Sequence, residues 1–98
     1  DKEVIRKRWT ENTPEILREL IFVLRETSNF TPAGTEESVS NWIKRRGYNT
    51  GAVMNAFRLV VVGALRGPHM FDIISWIGKE ETINRIERGI SVIEGQKQ

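Results

Sequence analysis

The chain has 98 residues, 39% of them hydrophobic and 29% charged, and a formal net charge of +2. That allows one modest core rather than two, in a folded globule rather than a disordered tail. Zero cysteines exclude disulfides, thiolate nucleophiles and cysteine metal sites and fit a reducing compartment, while no apolar run approaches the ~20 residues of a membrane span and no secretion signal opens the chain.

Asp1, rather than a methionine, opens directly on helix-compatible sequence, which reads as a piece of a longer protein. Residues 2–9 carry Val4, Ile5 and Trp9 on a short helix whose Arg6-Lys7-Arg8 run can face water. "NTPEILRELIFVLRETSNF" then starts a second helix, capped by Asn12 or Thr13, with Pro14 and Glu15 in its first turn. Ile16, Leu20, Val23 and Leu24 share one face at helical spacing, with Leu17 and Ile21 beside them. "NFTPAG", residues 29–34, reads as a loop. Thr35 is the expected cap of the next helix, which holds Val39, Trp42 and Ile43 and closes on Lys44-Arg45-Arg46 before Gly47.

"YNTGAVMNAFRLVVVGAL" contains three successive valines that would suit a buried strand, yet Val53, Phe57, Val60, Val61 and Ala64 keep a helical period. With Asn49 or Thr50 as cap it reads as a central helix, and Gly63 within it suggests a close backbone approach. Gly67 and Pro68 restart the chain as cap and first helical residue of "PHMFDIISWIG". There Phe71, Ile74 and Ile77 line one side and Gly78 is the stop. The last helix, "KEETINRIERGISVI", places Ile83, Ile86, Ile90 and Ile93 on one stripe. The expected architecture is an all-α bundle of five or six short helices, one domain over residues 1–94 with a loose tail at 95–98.

Charge is unevenly spread along this frame. From Ser38 to Met70 there is no acidic residue, while Lys44, Arg45, Arg46, Arg58 and Arg66 supply five positive charges. One basic section in a neutral-to-acidic body is the pattern of a localised polyanion-binding face, and equally of a solvated helix surface with uneven charge. Lys44-Arg45-Arg46 before Gly47 also suits an ordinary helix end, because cations complement the last carbonyls.

Catalytic constellations are missing. The sole histidine, His69, has no evident nucleophile and orienting partner, and one histidine without cysteine is too little for zinc. No phosphate-binding glycine loop occurs. Glu80 and Glu81, at a helix start, read as carboxylates favoured by the helix dipole rather than as general acids. Arg66-Gly67-Pro68-His69-Met70 is the segment best suited to a ligand. A helix start offers unpaired N–H groups, Gly67 permits close approach, and Arg66 and His69 can stack on a base or donate to it. The spacing of Phe71 to Ile74 assigns that phenylalanine to the core.

"MNAFRLVVVGALRGPHMFDIISWIGKEETINRIERGI", together with "VIRKRW" and "TPEILREL" upstream, resembles the end of bacterial glutamyl-tRNA synthetases, class I aminoacyl-tRNA synthetases. The resemblance covers nearly the whole chain. It implies an anticodon-binding helical cage serving glutamate–tRNA ligation, with the catalytic and stem-contact domains of the same chain as neighbours. The ATP and Mg chemistry of such an enzyme belongs to those absent domains, so no cofactor is expected here. The implied partner is the anticodon loop of tRNA-Glu, and the implied setting is the cytoplasm, with no membrane and no DNA. Residues around the family's Gly-Pro turn contact anticodon bases, which correspond here to Arg66, Gly67, Pro68 and Met70, with His69 between them; Arg58 supports the turn or reaches the RNA. Many relatives carry a small residue in place of His69, and the Arg66 position varies. Lys44, Arg45 and Arg46 are the expected backbone contacts.

Two other readings stand beside this one. A helical protein-interaction module would use Trp9, Trp42 or Trp76 as anchors, although core or boundary packing is the simpler place for all three. A helix-turn-helix DNA binder fits the Gly-Pro turn, but "HMFDIISWI" is too apolar to read a major groove.

Overall fold

The computed structural model describes residues 13–63 and 69–96. The expected helix at 2–9, the candidate cap Asn12, Ala64, the candidate site residues Arg66, Gly67 and Pro68, and the last two residues lie outside them. Among the described residues there are five helices and no strand: α1 (Thr13–Glu26), α2 (Pro32–Arg46), α3 (Thr50–Val62), α4 (Met70–Ile77) and α5 (Lys79–Gln96). The bundle is all-α, and the valine-rich segment is helix α3 rather than a strand.

Proline in the first turn of α1 loses no hydrogen bond, and Glu15 beside it suits the positive end of the helix. The inward stripe is Leu17, Leu20, Ile21 and Leu24, with Ile16 and Val23 on its margins. At the other end, the Lys79 ammonium from the start of α5 donates to the carbonyls of Thr27 at 2.6 Å and Arg25 at 3.2 Å. A cation supplied by a distant helix thus satisfies carbonyls that α1 leaves open.

Helix α2 begins earlier than its sequence suggests. Thr31, not Thr35, is the cap: its hydroxyl accepts from Gly34 N–H at 3.1 Å, and Pro32 takes the first helical position. Thr35 is instead fully buried one turn on, donating to the Thr31 carbonyl at 2.8 Å. Half of the expected 29–34 loop is therefore helix. The C-terminus follows the sequence reading: Gly47 adopts φ +71°, its N–H bonding Lys44 O at 3.2 Å while Tyr48 N–H reaches Ile43 O at 3.1 Å. This pair of bonds is a Schellman closure, which requires a left-handed residue. Asn49 then caps α3, its side chain accepting from Ala52 N–H at 2.9 Å.

Gly63 is not inside α3 but ends it, at φ +81°, and a Cβ there would meet nothing within 4 Å. The close approach lies instead at Gly89 on α5, where a Cβ would stand 2.7 Å from Val60 Cβ on α3. Helix α4 starts at Met70, two residues beyond the expected Pro68, and α5 follows after the single residue Gly78. Helix α5 reaches Gln96, past the boundary expected at Glu94.

Helix α5 packs against α1 and α3, α1 also against α2 and α3, and α2 against α4. Phe57 on α3 sits at the centre, fully buried and edge-on to Phe71 of α4 at 6.4 Å between centroids. Leu17, Leu20, Leu24, Val39, Ile74 and Ile86 are likewise wholly enclosed. No helix of the described residues is long and apolar enough to cross a membrane.

Candidate nucleic-acid interface

The Schellman turn at Gly47 shapes the basic corner. It ends α2 just after Lys44, Arg45 and Arg46, all three exposed, and folds Tyr48 back towards α1. There the Tyr48 hydroxyl donates to Glu19 Oε2 at 2.9 Å, and the buried Trp42 indole donates to Glu19 Oε1 at 3.1 Å. Trp42 and Tyr48 meet edge to face at 5.6 Å. Arg46 joins the same carboxylate, with Nε 3.1 Å from Oε1 and Nη2 donating to Oε2 at 3.3 Å. Its Nε also donates to the Tyr48 hydroxyl at 3.2 Å, and its guanidinium lies 5.4 Å from the tyrosine ring centre. Burial pushes the Glu19 carboxyl up, but hydrogen bonds from Trp42 and Tyr48 and the Arg46 charge outweigh it and hold the group below its ordinary value.

The expected triplet is therefore not uniform. Among the described residues, Lys44 and Arg45 have no carboxylate within 4.0 Å, whereas Arg46 is engaged on two sides. Glu19 and Tyr48 escaped the sequence reading because they lie 29 positions apart. The available signal was local: a tyrosine after the helix-ending glycine must turn back across the last turn.

The second candidate region is the start of α4. His69 is its N-cap, exposed, with its ring 5.6 Å from Phe71 and no side-chain cap of its own. Its carbonyl accepts from Asp72 N–H at 3.1 Å and Ile73 N–H at 3.2 Å. Asp72 places a carboxylate in the first turn, so this end carries less attraction for an anion than an uncharged helix start would. Met70 departs from its sequence expectation. It is one of the positions that the resemblance makes an RNA contact, yet the residue is only 3% exposed. Starting the helix at Met70 turns Met70, Phe71 and Ile74 to the same inward side, so the methionine side chain fills the core rather than meeting a base. Arg58 is partly buried on α3.

A groove lies where the C-terminal half of α3 crosses α5, walled by Leu59 to Val62, Val92 and Ile93. On its rim Arg85 is bound twice, its Nε donating to Glu81 at 2.7 Å and Nη1 to the Val61 carbonyl at 3.0 Å. Elsewhere Phe22 and Trp76 are open to solvent, at 64% and 73% exposure. Of the tryptophans expected in core or boundary positions, Trp42 is buried and Trp76 is not, since it occupies the outer side of the short α4.

The family model described as the anticodon binding domain matches residues 1–90. The chain belongs to this anticodon-binding family. It is 46% identical over 95 residues to the glutamate–tRNA ligase of Bacteroides fragilis, covering 96% of this chain and 19% of that protein. It is 48% identical over 87 residues to the ligase of Flavobacterium johnsoniae, covering 89% of this chain and 17% of that one. A crystal structure of a glutamate tRNA ligase from Elizabethkingia meningosepticum, in complex with its amino acid, superposes with a TM-score of 0.87 at 34% identity, over 93% of this chain and 18% of that one. The chain thus spans about a fifth of the length of the relatives it matches.

Proposed function

We propose that this domain recognises the anticodon loop of a tRNA for glutamate within a glutamate–tRNA ligase. ATP- and Mg-dependent aminoacylation then belongs to the rest of that protein, which also provides its neighbouring domains. The observation that carries this reading is the family match over residues 1–90, joined to ligase relatives such as that of Bacteroides fragilis at 46% identity.

Two regions divide the work. Lys44 and Arg45, exposed at the end of α2, attract the phosphates and so set the register of the loop. The segment preceding α4 in sequence, with Arg66, Gly67, Pro68 and His69, meets unpaired bases by stacking and by hydrogen bonds to their edges. The Asp72 carboxylate favours that division, because a neutral base edge tolerates it better than a phosphate does. Buried Met70 contributes its backbone at most, and partly buried Arg58 supports the turn.

Arg66→Ala and His69→Ala, tested singly and together in the full-length protein, are expected to raise KM for tRNA-Glu while kcat changes little. An unchanged KM for all three variants removes the base-contact assignment. Reversing charge at Lys44 and Arg45 is expected to flatten the dependence of tRNA affinity on salt. If the slope holds, the two cations only finish the helix.

A second reading, a helical protein-interaction module, draws on Trp76 at 73% exposure. Under it Trp76→Ala would abolish a protein contact and spare tRNA binding. A gel-shift titration with the tRNA-Glu anticodon stem-loop, a scrambled loop and duplex DNA separates the readings.

A further inference from the structure

We propose that Glu19 is a positioning residue of the basic corner: it withdraws Arg46 from the phosphate-binding set, leaving Lys44 and Arg45 as its only working cations. The inference rests on the RNA reading above and assigns a role within it to a carboxylate on a different helix.

The geometry is asymmetric. Glu19 is held by two neutral donors besides Arg46, the Trp42 indole at 3.1 Å and the Tyr48 hydroxyl at 2.9 Å, and the first of these makes no contact with Arg46. Trp42 is buried in the core, so the carboxylate has a fixed place. Arg46 is the more exposed partner, its side chain 55% exposed against 34% for Glu19. A phosphate arriving at Arg46 therefore meets an anchored negative charge 3.1 Å from the guanidinium, and the two charges nearly cancel at that range. One face of the Tyr48 ring is occupied by that guanidinium and its surroundings by the Trp42 edge, which disfavours a stacked base there. Lys44 and Arg45, two residues and one residue earlier, carry no such partner among the described residues.

The number of cations that release counterions is readable from the salt dependence of binding, about 0.7 to 0.9 in slope for each phosphate neutralised. The test uses the full-length protein and an unmodified tRNA-Glu transcript, titrated across potassium chloride. Arg46→Ala is expected to leave the slope of log affinity against log salt at the wild-type value. Glu19→Gln, which keeps the shape and removes the charge, is expected to steepen it by about 0.7 to 0.9, and the double variant to return it to wild type. A purely structural Glu19 would alter affinity and thermal stability without adding a counterion.

A slope that falls on Arg46→Ala overturns the proposal, and so does a Glu19→Gln slope equal to wild type in a protein that retains its helical circular dichroism. Should Glu19→Gln not fold, Arg46→Ala decides alone. Lys44→Ala with Arg45→Ala separates the levels. A lowered slope there with no response at Glu19 sinks this inference only, whereas an unchanged slope sinks the RNA reading of the corner as well.

Discussion

A carboxylate that accepts from an indole, a phenol and a guanidinium at once resists protonation, because each donor prefers it charged. Glu19 is such a group, and its carboxyl lies below the ordinary value of 4.5 in the folded protein. The unfolded chain then binds the proton more tightly than the folded one. Its stabilising contribution is complete above that ordinary value and drains away as pH falls through the lower folded value. The stability difference between wild type and Glu19→Gln, measured by urea unfolding, is expected to be largest at neutral pH and to shrink on acidification. Glu19→Ala leaves the buried Trp42 N–H without its acceptor and is expected to cost about 1–2 kcal/mol. Phe57→Ala, which empties the centre of the core, is expected to cost more, about 3–5 kcal/mol.

At the scale of the helices, two glycines on α5 separate packing from propensity. Gly89 faces Val60 so closely that an added methyl would stand 2.7 Å from the valine Cβ, within the seam that joins α3 to α5. Gly95, on the same helix, has nothing within 4 Å. Gly89→Ala is therefore expected to lower the melting temperature, because neighbouring helices must part. Gly95→Ala is expected to raise it slightly, by the few tenths to about 1 kcal/mol that alanine gains over glycine in a helix. The same scale shows what could be read in advance. Helix ends with a dedicated residue were legible: Gly47 after three cations, the Asn49-Thr50 pair of candidate caps of which Asn49 is used, Gly78 as a stop. Periodicity also gave the isoleucine stripe of α5. The start of α2 was not, because "TPAGT" offers two threonines and only the proline's fixed φ selects the first as cap. The start of α4 moved for a related reason: a Gly-Pro step announces a boundary without fixing which residue first turns helical. For the site, cations and a turn stood out as residue types. The partner that disables one of those cations did not, since nothing local links Glu19 to Arg46.

Across the whole molecule, α5 carries most of the long-range packing, lying on both α1 and α3 and pinning the end of α1 through Lys79. Removing residues 79–98 would strip Ile83, Ile86, Ile90 and Ile93 from the centre and expose the inner stripe of α1. Cooperative thermal unfolding is expected to disappear in that truncation, whereas Lys79→Ala should keep it with a lowered midpoint. The glutamate–tRNA ligases it is similar to, such as that of Bacteroides fragilis, are about five times longer.

The Lys79 clamp has a temporal side. The ammonium that closes α1 is encoded about fifty positions after the carbonyls it closes. A ribosome emits the greasy flank of α1 seconds before its cover exists, given typical elongation rates of about 5–20 residues per second. Throughout that interval the nascent segment depends on whatever shields it, and a pause in translation upstream of Lys79 would prolong the exposure.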